Sequence, residues 1–478
     1  MQTIYNRKTS QLVIAGIILS LILSWFPFIA KGAEPIVLDP YANITRMASG
    51  RSAYKFVERL TREDMAGRQT GTEGCDKAAI WIAEQFKSFG LKPFKGDSYL
   101  QSLPVSCFNL VPPLEFQYKS INRWVNAVYR EDFIVFPYSG QGKISNDSVF
   151  LGYGIQAVEL NYDDYENVDV TNKTVLFFWD LPDFFKGKED QYSYYQRINT
   201  AYANGASSVV LLLKDGVDSP VRFDMKMSVG YNAHIPVILA GQALSYAFLK
   251  ASNLDLDELV GRIETNRKPL SKVLSSDIGI EVNYQSDIRN SNNVIGYIPA
   301  IDPNEKESIL ITSHYDALGI DHVQNTIYHG ANDNASSTGC IMEIARNLLR
   351  NECLPSVNLV FIAFTGEEEG LLGSYYYVKH PLFPLGKIKA VLNSEEIGTF
   401  DGVNIAGTSR SIYPELSKLI ITSAKFLKLD VSIITSLLYP GSDHWPFHEQ
   451  EIPAVCFAKL PLPNGYPSTG DRLLYHYE

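Results

Sequence analysis

No histidine precedes His234 in this chain of 478 residues, and seven of its eight histidines lie from His314 onward. Whatever chemistry needs imidazole is therefore confined to the second half. Cysteine is also sparse. Cys75, Cys107, Cys340, Cys353 and Cys456 form no CxxC pair, which argues against a structural zinc knuckle. In an exported chain a Cys75–Cys107 or Cys340–Cys353 disulfide stays open, but the residues read mainly as buried apolar groups. Basic residues are in deficit, with 42 Lys and Arg against 53 Asp and Glu, a net charge of −11. That balance disfavours nucleic acid or an anionic membrane as the main partner. No internal repeat or low-complexity segment is evident. The length allows two or three domains and a large core.

The N-terminus reads as an export segment over residues 1–33. Arg7 and Lys8 precede an almost wholly apolar run, Leu12–Ala30, and Ala30-Lys31-Gly32 suits a small-x-small cleavage site. The rival reading is an uncleaved anchor, since the run approaches bilayer-spanning length. Either way the bulk of the protein is expected outside the cytoplasm. Residues 45–100 read as two amphipathic helices around the turn Ala66–Gly74, with Gly90 capping the second.

Texture changes over 101–285, where short runs rich in Tyr, Phe and Val alternate with turns. Strands are expected at Asp132–Tyr138, Ser148–Gly152, Lys173–Trp179, Ser208–Leu213 and Pro236–Ala240, with a helix from Tyr192 to Asn204. This reads as a small β-rich domain inserted into a larger one. Its Asp163-Asp164-Tyr165-Glu166 run is a solvated loop before it is a calcium site.

From residue 286 strands and helices alternate: strands near Asn293–Tyr297, Ser308–Ser313, Val357–Phe364, Lys389–Asn393, Val403–Ala406 and Pro453–Ala458, helices at Ser336–Arg350, Leu371–His380 and Tyr413–Leu427. The pattern predicts an α/β fold, a mainly parallel mixed sheet with helices on both faces. In such sheets ligands bind beyond the carboxyl ends of strands. The chemistry-bearing residues cluster there. His314 and Asp316, two apart at a strand end, point to one side, so the imidazole can ligate and the carboxylate can orient it. Asp333 sits among glycines and small residues at a helix start. Glu367, Glu368 and Glu369 follow an apolar strand, and adjacent carboxylates repel unless a cation holds them. Glu395 ends the next strand. His444 and His476 are late imidazoles. This set can fill two adjacent divalent metals that share one carboxylate, with a further glutamate free to move a proton.

The motifs HYDALG, GANDNASSTG, FTGEEEGLLGS, NSEEIG and SDHWPF resemble those of the co-catalytic di-zinc exopeptidase family, which includes bacterial leucyl-type aminopeptidases. The likeness covers residues 45–100 and 286–478. Residues 129–268 resemble the protease-associated (PA) domain inserted in many members, through GYGI, NYDDY, NKTVLFF and NGASSVVLLL. The domains expected are 1–33 (signal or anchor), 45–128 (first part of the peptidase domain), 129–268 (PA domain) and 269–478 (zinc peptidase domain). The resemblance implies two Zn2+ per chain. It implies His314 on one zinc with Asp316 behind it, Asp333 bridging, Glu368 on the second zinc, Glu395 on the first, and Glu367 as general base. His476 of the Tyr475-His476 pair is implied as the fifth ligand, with His444 the alternative. The family's following Asp and last helix have no counterpart before Glu478, so a shortened C-terminus is expected. The implied function is removal of N-terminal residues from peptides. Carboxypeptidase and glutaminyl cyclase activities share the fold, and a catalytically silent interaction protein is the alternative of another class.

Overall fold

The computed structural model describes residues 49–458, apart from 121–122, 138, 189–190, 215–226, 230–232, 322–325, 353–354, 399–402, 407–412, 428–430 and 434–440. The expected export segment, 1–33, and His476 therefore lie outside the described residues. Among the described residues no helix is long and apolar enough to cross a membrane.

The main sheet is built from β1 (Leu100–Leu110), β2 (Tyr284–Ile298), β3 (Ser308–His314), β4 (Asn358–Phe364), β5 (Ile388–Glu395), β6 (Val403–Ala406), β7 (Val431–Ile433) and β8 (Ala454–Ala458). Their order across it is β1-β2-β4-β3-β5-β8-β6-β7. The four central strands β4, β3, β5 and β8 are parallel. Every residue of β3 and β4 is buried, as both faces are covered. The edges are antiparallel: β2 pairs with β4 and β1, and β6 with β8. β3 sits between β4 and β5, so the strand order reverses there and opens a crevice at the carboxyl ends.

Helices α1 (Gly50–Leu60), α2 (Glu73–Phe89) and α3 (Ser337–Arg350) pack on one face. α1 buries Ala53, Phe56, Val57 and Leu60, the 3–4 spacing of one helical stripe. A Cβ on Gly339 would meet the Ala53 carbonyl at 2.9 Å, so this glycine lets α1 approach α3 closely. Gly90, at φ 97°, ends α2 in the left-handed conformation. Helix α4 (Leu372–Lys379) lies on the opposite face, where Tyr377 and Phe383 pack against Leu310, Val360, Ile362 and Val391.

Between β1 and β2 the chain makes a second body with its own cores. Strands Ser148–Leu151, Thr174–Phe178, Ser208–Leu212 and Val237–Ala240 run parallel in a six-stranded sheet. Val175, Phe177, Val209 and Leu211 enter one core; Leu176, Phe178, Val210 and Leu212 enter the other. Burial on both faces explains the continuous apolar runs. An antiparallel sheet of Glu115–Ser120, Arg123–Ala127, Gly142–Asn146 and Ile278–Val282 stands beside it. One strand leaves this body: Met227–Val229 pairs with β1 and forms the outer edge of the main sheet.

The structure lengthens one expected strand. β2 runs from Tyr284, not Asn293, because its polar first half is held by backbone pairing to β1, from Tyr284↔Leu110 to Val294↔Leu100, rather than by burial. Cys75, Cys107, Cys340 and Cys456 are free, buried thiols. Burial pushes the Cys75 thiol up to about 11.

Candidate metal centre

Three adjacent parallel strands deliver the central groups. His314 closes β3, Glu395 closes β5, and Glu367 and Glu368 follow β4. Asp333 comes from the segment Ala331–Ser336 that leads into α3. His314 Nε2 lies 2.9 Å from Glu395 Oε1, 3.1 Å from Asp333 Oδ1 and 3.7 Å from Glu367 Oε2. Donor atoms of His314, Glu367 and Glu395 fall within 4.8 Å of one another, and all three residues are buried. The side chains thus converge from segments up to 81 residues apart in sequence.

Asp316 sits behind the imidazole, its Oδ1 3.4 Å from His314 Nδ1. The carboxylate also accepts the backbone N–H groups of Glu367 and Glu368, each at 3.3 Å, and the Thr70 hydroxyl at 3.1 Å. It therefore ties β3's end to the loop after β4. Glu395 is held by Ser442, whose hydroxyl donates to Oε2 at 2.5 Å, and by the Asn334 amide at 3.3 Å.

Glu368 Oε1 is shielded from water with no hydrogen-bond partner among the described residues. Burial, then Asp333 and Glu367, hold its carboxyl well above the usual carboxylate range. Burial pulls the His314 imidazole down, but the charges of Glu395 and Glu367, with hydrogen bonds to Asp316 and Asp333, outweigh it and hold His314 well above its ordinary value. Buried Asp443 is likewise raised by burial and by Glu367, with His314 opposing. So many carboxylates around one imidazole are stable together only with added positive charge. One or more divalent cations fit this donor set: borderline-soft imidazole nitrogen with carboxylate oxygen suits zinc.

Of the residues singled out in the sequence, His314, Asp316, Asp333, Glu367, Glu368 and Glu395 are gathered in one place. Glu369 is buried beside them without a place in the cluster, while His444 is buried next to Asp443. His476 lies outside the described residues. Thr70, Arg68, Asn334, Ser442 and Asp443 went unread as site residues. Arg68 and Thr70 left a signal, a charged and a hydroxylated residue inside a glycine-framed turn between two helices.

Such a cluster, at the switch point of an α/β sheet, is the donor set of a metal-dependent enzyme. Residues 293–477 match the profile described as Peptidase family M28. Aminopeptidase YwaD of Bacillus subtilis (strain 168) is 24% identical over 421 residues, covering 85% of this chain and 75% of that protein. A probable leucine aminopeptidase of Trichophyton verrucosum is 28% identical over 185 residues, 37% of this chain and 47% of that protein's length. Among solved structures, an aminopeptidase from Aneurinibacillus sp. strain AM-1 shares the fold at a TM-score of 0.59, with 20% identity and 90% of each chain covered. A zinc aminopeptidase from Bacillus subtilis does so at 0.52, with 21% identity over 85% of this chain and 84% of that one. The likeness to peptidase family M28 spans residues 293–477, 185 of the 478, and that segment holds the whole cluster from His314 to Glu395.

Proposed function

We propose that this metallopeptidase is a zinc aminopeptidase that removes N-terminal residues from peptides. The observation that carries the reading is the convergence of His314, Asp333, Glu367 and Glu395 at the carboxyl ends of the central strands, inside the region matched to the family. The relatives named as aminopeptidases support it.

His314, Asp333, Glu368 and Glu395 are the described residues that would hold zinc, and His476, outside the described residues, is the expected further ligand. Bound zinc supplies a Lewis acid that acidifies water and polarises a carbonyl oxygen. Glu367 is the general base: it takes the proton of the attacking water and passes it to the departing amine. Its reach is set by Asp316, which accepts its backbone N–H. Asp316 also fixes the His314 ring through Nδ1, which leaves Nε2 turned towards Asp333 and Glu395, where it would hold the metal. The buried walls of β3, β4 and β5 exclude bulk water and strengthen these interactions.

Residues 129–268 serve as a PA domain that shapes access to the cleft; its separate cores favour that role. The apolar run Leu12–Ala30 supports an exported protein acting on peptides outside the cytoplasm.

The test is metal content per chain, paired with hydrolysis of aminoacyl-nitroanilides before and after a chelator. Two zinc ions and chelator-sensitive release are expected. Full zinc occupancy with no turnover of any aminoacyl substrate overturns the aminopeptidase reading.

A further inference from the structure

The turn between α1 and α2 reaches into the metal centre from a part of the chain nearly 250 residues away. Arg68 is fully buried there. Its Nε donates to the Tyr315 carbonyl at 2.6 Å, Nη1 to the carbonyls of Leu60 at 2.6 Å and His329 at 2.8 Å, and Nη2 to that of Gly330 at 2.9 Å. The Arg68 carbonyl in turn accepts the Ala317 N–H at 3.3 Å. Asp316 therefore has both its neighbours, Tyr315 and Ala317, tied to one residue. Thr70 then holds the Asp316 carboxylate itself, at 3.1 Å. The His329 and Gly330 carbonyls belong to the loop that runs to Asp333. The Gly330 carbonyl also accepts the Ala335 N–H at 3.1 Å, which fixes the other side of Asp333.

A guanidinium is an expensive filler at this depth, because burying a charge costs several kcal/mol. Here its acceptors are backbone carbonyls, and its charge lies in the field of Asp316, Asp333 and Glu368. The backbone is strained to deliver it: Ala66, Gly67 and Arg68 are all left-handed, at φ 47°, 67° and 50°. A plain connection between two helices needs neither the strain nor the charge.

We infer, resting on the zinc reading above, that Arg68 together with Thr70 is a positioning residue of the metal centre, holding the Asp316 and Asp333 segments in the ligating arrangement and balancing part of their charge. Arg68→Lys keeps the charge but cannot span four carbonyls from a planar fork. Thr70→Val removes one hydroxyl at nearly constant volume.

The zinc dissociation constants of the full-length wild type and both variants are measured by competition with a chromophoric chelator. Circular dichroism and denaturation of the zinc-free proteins are recorded alongside. Zinc binding about 10–100-fold weaker in variants that keep their secondary structure is expected, the range seen when groups that orient metal ligands are lost. Thr70→Ser should restore the wild-type affinity. Wild-type affinity in folded Arg68→Lys and Thr70→Val would assign both residues to structure alone and overturn the inference. If Arg68→Lys does not fold, Thr70→Val and its serine rescue decide. A wild type that takes up no zinc sinks the zinc reading and this inference with it; a wild type that binds zinc and cleaves, with variants that match it, sinks only the inference.

Discussion

Glu367 and Gly67 carry the sharpest expectations for single residues. Glu367→Gln keeps the size and removes the base. Its kcat on an aminoacyl-nitroanilide should fall about 10²–10⁴-fold while zinc content stays at the wild-type level, the usual contribution of a positioned proton-transfer group. A loss under tenfold would give the proton to another group. His314→Ala takes the only nitrogen donor from the described cluster, so elemental analysis should find less zinc after dialysis. Gly67 is constrained by geometry. At φ 67°, a Cβ there would meet the Gly319 carbonyl oxygen at 2.1 Å. Gly67→Ala should cost at least about 1–3 kcal/mol in a denaturant titration, from the left-handed backbone together with the clash against Gly319. It should also loosen zinc, because Gly319 follows the Asp316 segment.

At the scale of elements, β3 is both the floor of the site and the middle of the core. Leu310 is fully buried among Val360, Ile362 and Val391. Leu310→Ala should destabilise by about 2–5 kcal/mol, measured by the denaturation midpoint, since the packed sheet cannot close over the cavity. The second body has its own pH response. Asp164 is fully buried, and its Oδ2 accepts the N–H groups of Tyr153 at 3.2 Å and Ile155 at 3.0 Å. Burial pushes its carboxyl up to about 8, against the lowering effect of those hydrogen bonds and of Tyr162, with Asp163 adding a little. Its folded pKa thus lies above its unfolded value, so the folded state binds the extra proton between the two. The stabilisation is full below the unfolded value of 3.8, falls as pH rises and is gone above about 8. Asp164→Asn keeps the acceptor and cannot ionise. Unfolding midpoints between pH 5 and 9 should therefore decline less steeply with pH in the variant; equal slopes would mean that Asp164 is not the source.

For the whole molecule, cation binding and folding are one equilibrium. The carboxylate cluster repels itself in the zinc-free protein, so chelation should lower the unfolding temperature. Free zinc at 100 times its dissociation constant should contribute about 2.7 kcal/mol. A calorimetric scan with and without chelator checks this, and unchanged transitions would mean that no ion stabilises the fold. Met227–Val229 makes the coupling wider. Its pairing with β1 fastens the inserted body to the main sheet. The two bodies should then respond together when zinc is removed, readable as a loss of hydrogen-exchange protection in both.

Much of this was legible in the linear chain, because its signals are local. Continuous apolar runs announced β3, β4 and β5, and the amphipathic pattern of residues 45–100 announced α1 and α2. The polar residues at the run ends marked His314, Asp316, Asp333, Glu367 and Glu395, since a strand end is where a buried segment turns towards a crevice. The polar half of β2 was invisible, because it is held by a backbone ladder that side-chain hydrophobicity does not encode. So was the strand Met227–Val229, whose partner lies in another body. Arg68 was out of reach for the same reason: its meaning depends on carbonyls from residues 60, 315, 329 and 330 meeting at one point. The sequence by itself determined which side chains could ligate a metal and which strand ends would carry them. Only the tertiary structure decided how closely they approach one another and that the buried Arg68 guanidinium bonds to the carbonyls of residues 60, 315, 329 and 330, because those relations are set by contacts between segments far apart in the chain.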